Sequence, residues 1–119
     1  MNVEISSEVV SKVEGALIAF TRIEKTPTFT DIENSIGMKI RQDQWRLILD
    51  PLHEEMKRTG RPDLPAIIVY KEGEKKGYPP YFSDGGSARS RQFNPNNPDQ
   101  LKKWLEAVRR VFAYYRKLV

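Results

Sequence analysis

The sequence predicts an α+β fold in which three helices are followed by a small antiparallel β-ribbon and a long C-terminal amphipathic helix. Four segments space their apolar residues by three and four positions, as one face of a helix requires. One run, residues 64–70, is rich in β-branched side chains and predicts a strand. The 119 residues suit a single domain, with a helical part at 7–60, a strand and ribbon at 64–82, a polar loop at 83–97 and a helix at 97–118.

The first helix is predicted over residues 7–24, where valine, leucine, isoleucine and phenylalanine recur with helical spacing. Ser6 or Ser7 can cap its free amides. Pro27 ends it, because proline disfavours helical geometry at the residue before it.

Two further helices follow after short connectors. Residues 28–37 predict a short helix with Thr30 as its N-cap and Gly37 as the left-handed residue that closes it. Residues 42–58 predict a longer helix that either kinks at Pro51 or restarts there.

The ribbon is predicted from one good strand and one poor one. The strand at 64–70 is followed by a charged, glycine-bearing turn at 71–77. An extended segment at 78–82 contains two prolines, which confine it to an edge.

The last helix has the clearest start signal. Asn97 is a good N-cap, Pro98 suits the first helical position and Gln100 occupies the capping-box position. Its apolar stripe extends over five turns and includes Trp104. Such a stripe predicts either packing within the domain or a homodimer through this helix, and the sequence leaves both open.

Composition excludes several classes of site. With no cysteine, the chain has no disulfide framework and no thiolate zinc site. A single histidine, His53, argues against a poly-histidine metal site. We predict no metal, no cofactor and no catalytic residue. Residues 1–20 lack the pattern of a signal peptide, and no apolar stretch reaches the ~20 residues of a membrane span, so cytoplasm is the expected location.

Charge is distributed unevenly along the chain. Residues 1–60 carry 8 basic and 10 acidic groups, whereas residues 61–119 carry 12 and 6. Half of these later basic groups lie on the outer faces of the last helix, where solvation alone accounts for them. The rest lie on the predicted ribbon and the polar loop, and they indicate an anionic partner.

The order helix–helix–helix–ribbon resembles a winged helix-turn-helix domain. The segments TPTFTDIENSIG and LDPLHEEMKRTGRPDLPAIIVYKEGEKKGYP are similar in layout to the DNA-binding domain of the alkyltransferase-like DNA-repair family, and loosely to small bacterial and phage proteins. That family's Pro-Cys-His-Arg nucleophile motif is replaced here by Leu64-Pro65-Ala66-Ile67, which excludes alkyl transfer. The resemblance implies a winged-helix fold and contact with double-stranded DNA.

Non-catalytic DNA binding, in a regulator or a phage or defence factor, is therefore the predicted function. Arginine and glutamine at the start of the third helix suit base edges, and lysines and arginines on the ribbon and loop suit phosphates. The predicted nucleic-acid-binding residues are Lys39, Arg41, Gln42, Gln44, Arg46, Lys71, Lys75, Lys76, Arg89 and Arg91. The alternative is a protein-interaction module or inhibitor on the same fold.

Other residues indicate less specific roles. Pro62-Asp63 with Glu74 and Lys76 spells a metal-dependent nuclease pattern, but Glu74 lies off the predicted strand, so we interpret it as a chance match. Trp45 and Trp104 lie on apolar stripes and predict core packing. His53 is predicted to pack or to lie at the surface, Tyr114 to be exposed, and Tyr78, Tyr81 and Phe82 are open to a contact role.

Overall fold

The computed structural model describes residues 6–74, 76–80 and 93–116, and within them the fold is helical. The described residues form four α-helices and a buried 3₁₀ turn at Leu64–Ile67. The helices are α1 (Ser7–Arg22), α2 (Phe29–Ile36), α3 (Gln42–Arg58) and α4 (Pro98–Arg116). Helix α1 is central, because it contacts the other three helices and the 3₁₀ turn.

The α+β, winged-helix prediction is wrong. Residues 64–70 do not form a strand, and no β-ribbon is present in the segments that the structure describes. Leu64 to Ile67 coil into the 3₁₀ turn, with Pro65 in its first turn, where the fixed φ of proline favours helical geometry. Ala66 N–H donates to Asp63 O at 3.0 Å, and Ile68 N–H donates to Pro65 O at 3.2 Å.

Burial explains why residues 64–70 have the composition of a strand without forming one. Residues 64–69 are all buried, and the 3₁₀ turn packs against α1, α3 and α4. A short run that is apolar at every position has no period, so its composition fits a buried turn as well as a buried strand. Val69 N–H then donates to Pro27 O at 2.9 Å, which gives the end of the run a loop partner instead of a neighbouring strand.

The predicted ribbon is reduced to one bridge, between Tyr70 and Lys76. Tyr70 N–H donates to Tyr78 O, and Gly77 N–H donates to Tyr70 O, each at 3.0 Å. These two bonds close the charged turn. Pro79 and Pro80 follow directly and have no N–H to extend the ladder.

The helix ends follow the sequence signals closely, with one correction. Ser6 caps α1, Gly37 closes α2 with a φ of 73°, and α3 has the predicted bounds with Pro51 inside it. The N-cap of α2 is Thr28 and not Thr30. Its hydroxyl accepts from Asp31 N–H at 3.1 Å, while the Asp31 carboxylate accepts from Thr28 N–H at 3.0 Å.

Helix α4 begins with the predicted cap. The Asn97 side-chain oxygen accepts from the backbone N–H groups of Asp99 and Gln100 at 3.0 and 3.2 Å. The Gln100 side chain accepts from Asn94 N–H at 2.7 Å, so it braces the preceding turn instead of completing a capping box.

The core is closed on the α4 side by an aromatic seam, which we define as Tyr78, Phe93 and Trp104. The three ring centroids are 5.8 to 6.2 Å apart. Trp104 Nε1–H donates to Ala66 O at 2.8 Å, a buried bond that ties α4 to the 3₁₀ turn. The prediction that Trp45 and Trp104 pack in the core is confirmed, since they are 5% and 6% exposed.

Ion pairs of Arg61 join α1 to α3, and a hydrogen bond of Tyr115 joins α4 to α3. The Arg61 guanidinium lies 4.0 Å from Glu14 of α1 and 3.7 Å from Glu55 of α3. Tyr115 of α4 donates to Met56 Sδ at 3.8 Å, and burial raises the pKa of its phenol. Within the described part of the chain, no helix is both long and apolar enough to cross a bilayer.

Candidate binding groove

A surface groove of about 360 Å³ lies where the start of α2, the start of α3 and the beginning of the charged turn meet. Three separate segments form it, and its volume falls in the range of ~300–1,000 Å³ that is typical of ligand sites. We call it the groove and define it by its lining residues, which are Phe29, Thr30, Glu33, Ile40, Gln42, Trp45, Tyr70, Lys71 and Glu72.

Aromatic side chains dominate its apolar part. Phe29 and Trp45 are tilted by 34° with centroids 4.4 Å apart, so α2 and α3 meet through these rings. Phe29 and Tyr70 are half-buried, and Trp45 is buried. Ile40 adds an aliphatic patch.

The two tryptophan indoles differ in their hydrogen bonds. The Trp104 N–H is satisfied by Ala66, whereas the Trp45 N–H makes no hydrogen bond with the described residues. No side-chain nitrogen or oxygen in the described segments is both buried and unpartnered. The Trp45 N–H therefore keeps some contact with solvent.

The groove has more acidic than basic groups. Glu33 and Glu72 contribute carboxylates, against the single ammonium of Lys71, and none of the three forms an ion pair within the described segments. One oxygen of Glu33 accepts from Ile40 N–H at 2.7 Å, which fixes the α2–α3 connector and leaves the second oxygen for another partner.

The start of α3 offers fewer free groups than its sequence indicates. The Arg41 guanidinium donates to both oxygens of Asp43 at 3.0 and 2.8 Å, and this contact lowers the pKa of the Asp43 carboxyl. Gln44 is 8% exposed, and its Oε1 accepts from Arg41 N–H at 3.1 Å. Arg41 is therefore paired and Gln44 is a cap.

The other predicted nucleic-acid contacts are divided between the groove and the surface. Gln42 and Lys71 both line the groove, although 28 positions separate them in the sequence. Lys39, Arg46 and Lys76 are exposed and do not line it. Lys75, Arg89 and Arg91 lie outside the described residues, as do Tyr81 and Phe82.

His53 and Asp63 form a separate pair at the opposite end of α3. His53 Nδ1 donates to Asp63 Oδ1 at 2.9 Å, and the side chains are 13% and 21% exposed. The hydrogen bond to Asp63 raises the pKa of His53 above its usual value. Asp63 thus helps to join α3 to the 3₁₀ turn, while Glu74 of the nuclease-like pattern is exposed in the charged turn.

The outer face of α4 carries several exposed basic side chains. Lys102, Arg109 and Arg110 are exposed and form no ion pair with described residues, whereas Arg116 pairs with Glu24. Its apolar stripe, including Val108 and Val111, is buried in the domain's own core. Leu105 is the exception, with 41% exposure, and Tyr114, predicted to be exposed, is half-buried against Tyr115.

The sequence does not identify most groove residues as binding residues, because their helical spacing predicts that they pack in the core. Phe29 and Trp45 lie on apolar stripes, and Tyr70 ended the run that predicted a strand. The Thr28–Asp31 capping box fixes where α2 begins and is readable in the sequence. No local signal indicates that Tyr70 comes beside α2 and α3.

A search with the chain against protein-family models, curated proteins and solved structures finds no match.

Proposed function

We propose that this chain is a non-catalytic binding domain that holds a segment of a protein partner in the groove. The observation that carries the proposal is the convergence of three chain segments on a concave, aromatic-lined surface with polar groups at its rim. Ligand sites have this composition, with an apolar surface for contact area and a few polar groups that orient the ligand.

The polar groups favour a peptide over a purely apolar molecule. The Trp45 indole N–H and the Gln42 side-chain amide can donate to peptide carbonyls, and the amide oxygen of Gln42 can accept from a peptide N–H. Phe29, Ile40 and Tyr70 supply contact area for one inserted apolar or amphipathic side chain. Aromatic residues of this kind dominate the energetics of protein interfaces.

A peptide library displayed on phage, panned with the protein, tests the proposal. Thr30→Trp places a large ring at a half-buried groove position and is expected to reduce binding of the selected peptides by about tenfold or more, which corresponds to ~1.4 kcal/mol. Ala113→Trp adds the same ring at an exposed site on α4 and is expected to leave binding unchanged. Peptides that bind both variants equally well contradict the proposal.

Double-stranded DNA is the second candidate, favoured by the exposed Lys102, Arg109 and Arg110 on α4. Phosphate contacts make affinity fall steeply as salt increases. Under this alternative, a random duplex binds at low salt, and changing the three basic residues to alanine reduces both the affinity and the slope of its salt dependence. No binding at low salt rules it out.

A homodimer through α4 is a further arrangement of the same domain. Because the apolar stripe of α4 is used internally, such a dimer would have to use the outer face around Leu105. Sedimentation velocity over a range of protein concentrations, with Leu105→Glu as the disrupting variant, tests it.

A further inference from the structure

We infer that the groove selects a cationic side chain, an arginine or a lysine, in the segment that it binds. The inference rests on the proposed function and specifies the chemistry of its ligand. Two features of the groove support it, its aromatic rings and the excess of carboxylates beside them.

Aromatic faces attract cations because the ring quadrupole places negative charge above and below the plane. Tryptophan is the strongest partner, and tyrosine and phenylalanine follow. The groove brings one of each together, in Trp45, Tyr70 and Phe29, and the half-buried Tyr70 and Phe29 expose more of their surface than the buried Trp45. Arginine is the more favourable guest, because its planar guanidinium stacks on a ring and still presents N–H donors at its edge.

The carboxylates supply the acceptors that such a guest requires. Glu72 is exposed, and Glu33 has one oxygen beyond the one held by Ile40 N–H. Two carboxylates against the Lys71 ammonium give the residues that line the groove a formal charge of −1, while Lys39 and Arg46 lie outside the lining. The nearby Arg41 guanidinium is paired with Asp43, so it does not add an unpaired positive charge.

The same charges argue against a phosphate at this site. A polyanion would bring its negative charge beside Glu33 and Glu72, which would be repulsive. The two classes of ligand therefore respond with opposite sign to the same substitutions. Loss of Lys71 strengthens binding of a cation and weakens binding of an anion, and loss of a carboxylate does the reverse.

The experiment is an NMR titration in which the backbone amides of Phe29 and Tyr70 and the Trp45 indole are followed. The probe is N-acetyl-arginine methylamide. N-acetyl-citrulline methylamide is the matched control, because it has nearly the same shape and no charge. We expect the arginine probe to bind about three- to tenfold more tightly, consistent with an exposed cation–π contact and a partly exposed ion pair.

Three variants test whether charge at the groove controls arginine binding in the expected direction. Glu33→Gln keeps an acceptor for Ile40 N–H and, like Glu72→Gln, is expected to weaken arginine binding by about two- to fivefold. Lys71→Ala is expected to tighten it by a similar factor. All three should change citrulline binding less than arginine binding, because the citrulline side chain carries no charge.

The outcomes separate the inference from the proposed function. Equal binding of both probes at the groove leaves a peptide site but overturns its cation preference. Weaker arginine binding in Lys71→Ala also overturns the cation preference. So does a shift of the Trp45 indole signal on addition of inorganic phosphate or an oligonucleotide. If neither probe shifts the groove signals and no library peptide is sensitive to Thr30→Trp, the proposed function fails as well.

Discussion

The two tryptophans are almost equally buried, at 5% and 6% exposed, yet their surroundings differ. Trp104 lies in the aromatic seam, and its N–H bonds to Ala66 O within the core. Trp45 contacts Phe29 and lines the groove, and its N–H has no partner among the described residues. Burial alone does not separate these two environments, whereas the hydrogen bonding of the indole N–H does.

Replacing each tryptophan by alanine should give the largest difference in stability between the two sites. Trp104→Ala removes a ring packed on all sides and leaves Ala66 O without its donor, so we expect a loss of ~3–5 kcal/mol in unfolding free energy. Trp45→Ala opens towards the groove, which lets water enter, and should cost at least ~1 kcal/mol less. Urea denaturation measures both. Equal losses would show that the two environments do not differ.

Replacement by phenylalanine isolates the hydrogen bond. Trp104→Phe keeps much of the aromatic area but leaves the buried Ala66 carbonyl unsatisfied, at a cost of ~1–3 kcal/mol beyond the lost area. Trp45→Phe removes an N–H that has no partner among the described residues, so no buried acceptor loses its donor and that additional cost is absent. Similar losses for both variants would contradict the difference in hydrogen bonding.

Removal of the α2 N-cap should have a smaller effect on stability, and Thr30, two residues along the chain, provides the control. Thr28→Ala removes the acceptor for Asp31 N–H and should destabilise the protein by ~1 kcal/mol. Thr30→Ala, at the position that the sequence wrongly indicated as the cap, should change stability by less than ~0.5 kcal/mol. Thermal unfolding of the two variants compares them, and a larger loss for Thr30→Ala would reverse the assignment.

The smallest effect concerns pH. Because Asp63 raises the folded-state pKa of His53, folding favours the protonated ring. The pair's contribution is complete below the unfolded pKa of ~6.5 and is lost as the pH rises through the higher folded value. We expect the unfolding free energy to decrease over that interval, and Asp63→Asn to remove most of this decrease. An unchanged pH profile in Asp63→Asn would contradict the role of the pair.

The sequence predicts the helices well because their signals are local. Ser6, Gly37 and Asn97 mark helix ends by their own side chains or backbone freedom, and the bounds of α3 are those expected from its apolar spacing. The error at residues 64–70 has a physical origin. Pro65 favours a turn, but a run without period gives no way to weigh that preference against β-branched composition.

The groove was less accessible to sequence reasoning. Gln42 and Lys71 were predicted as contacts for DNA, and they do lie at one site, yet that site also contains Glu33 and Glu72. The count of charged residues along the sequence shows only that the second half is basic. The sign of the charge at the groove depends on which acidic residues the fold brings beside Gln42 and Lys71, and that is a property of tertiary structure.

The most direct test of the account uses the two indole N–H signals in a ¹⁵N-labelled sample, titrated with a peptide selected from the library. The Trp45 signal should shift in proportion to occupancy, since Trp45 lines the groove, while the Trp104 signal stays fixed by its bond to Ala66 O. A peptide that binds without moving the Trp45 signal would contradict the assignment of the groove as the binding site.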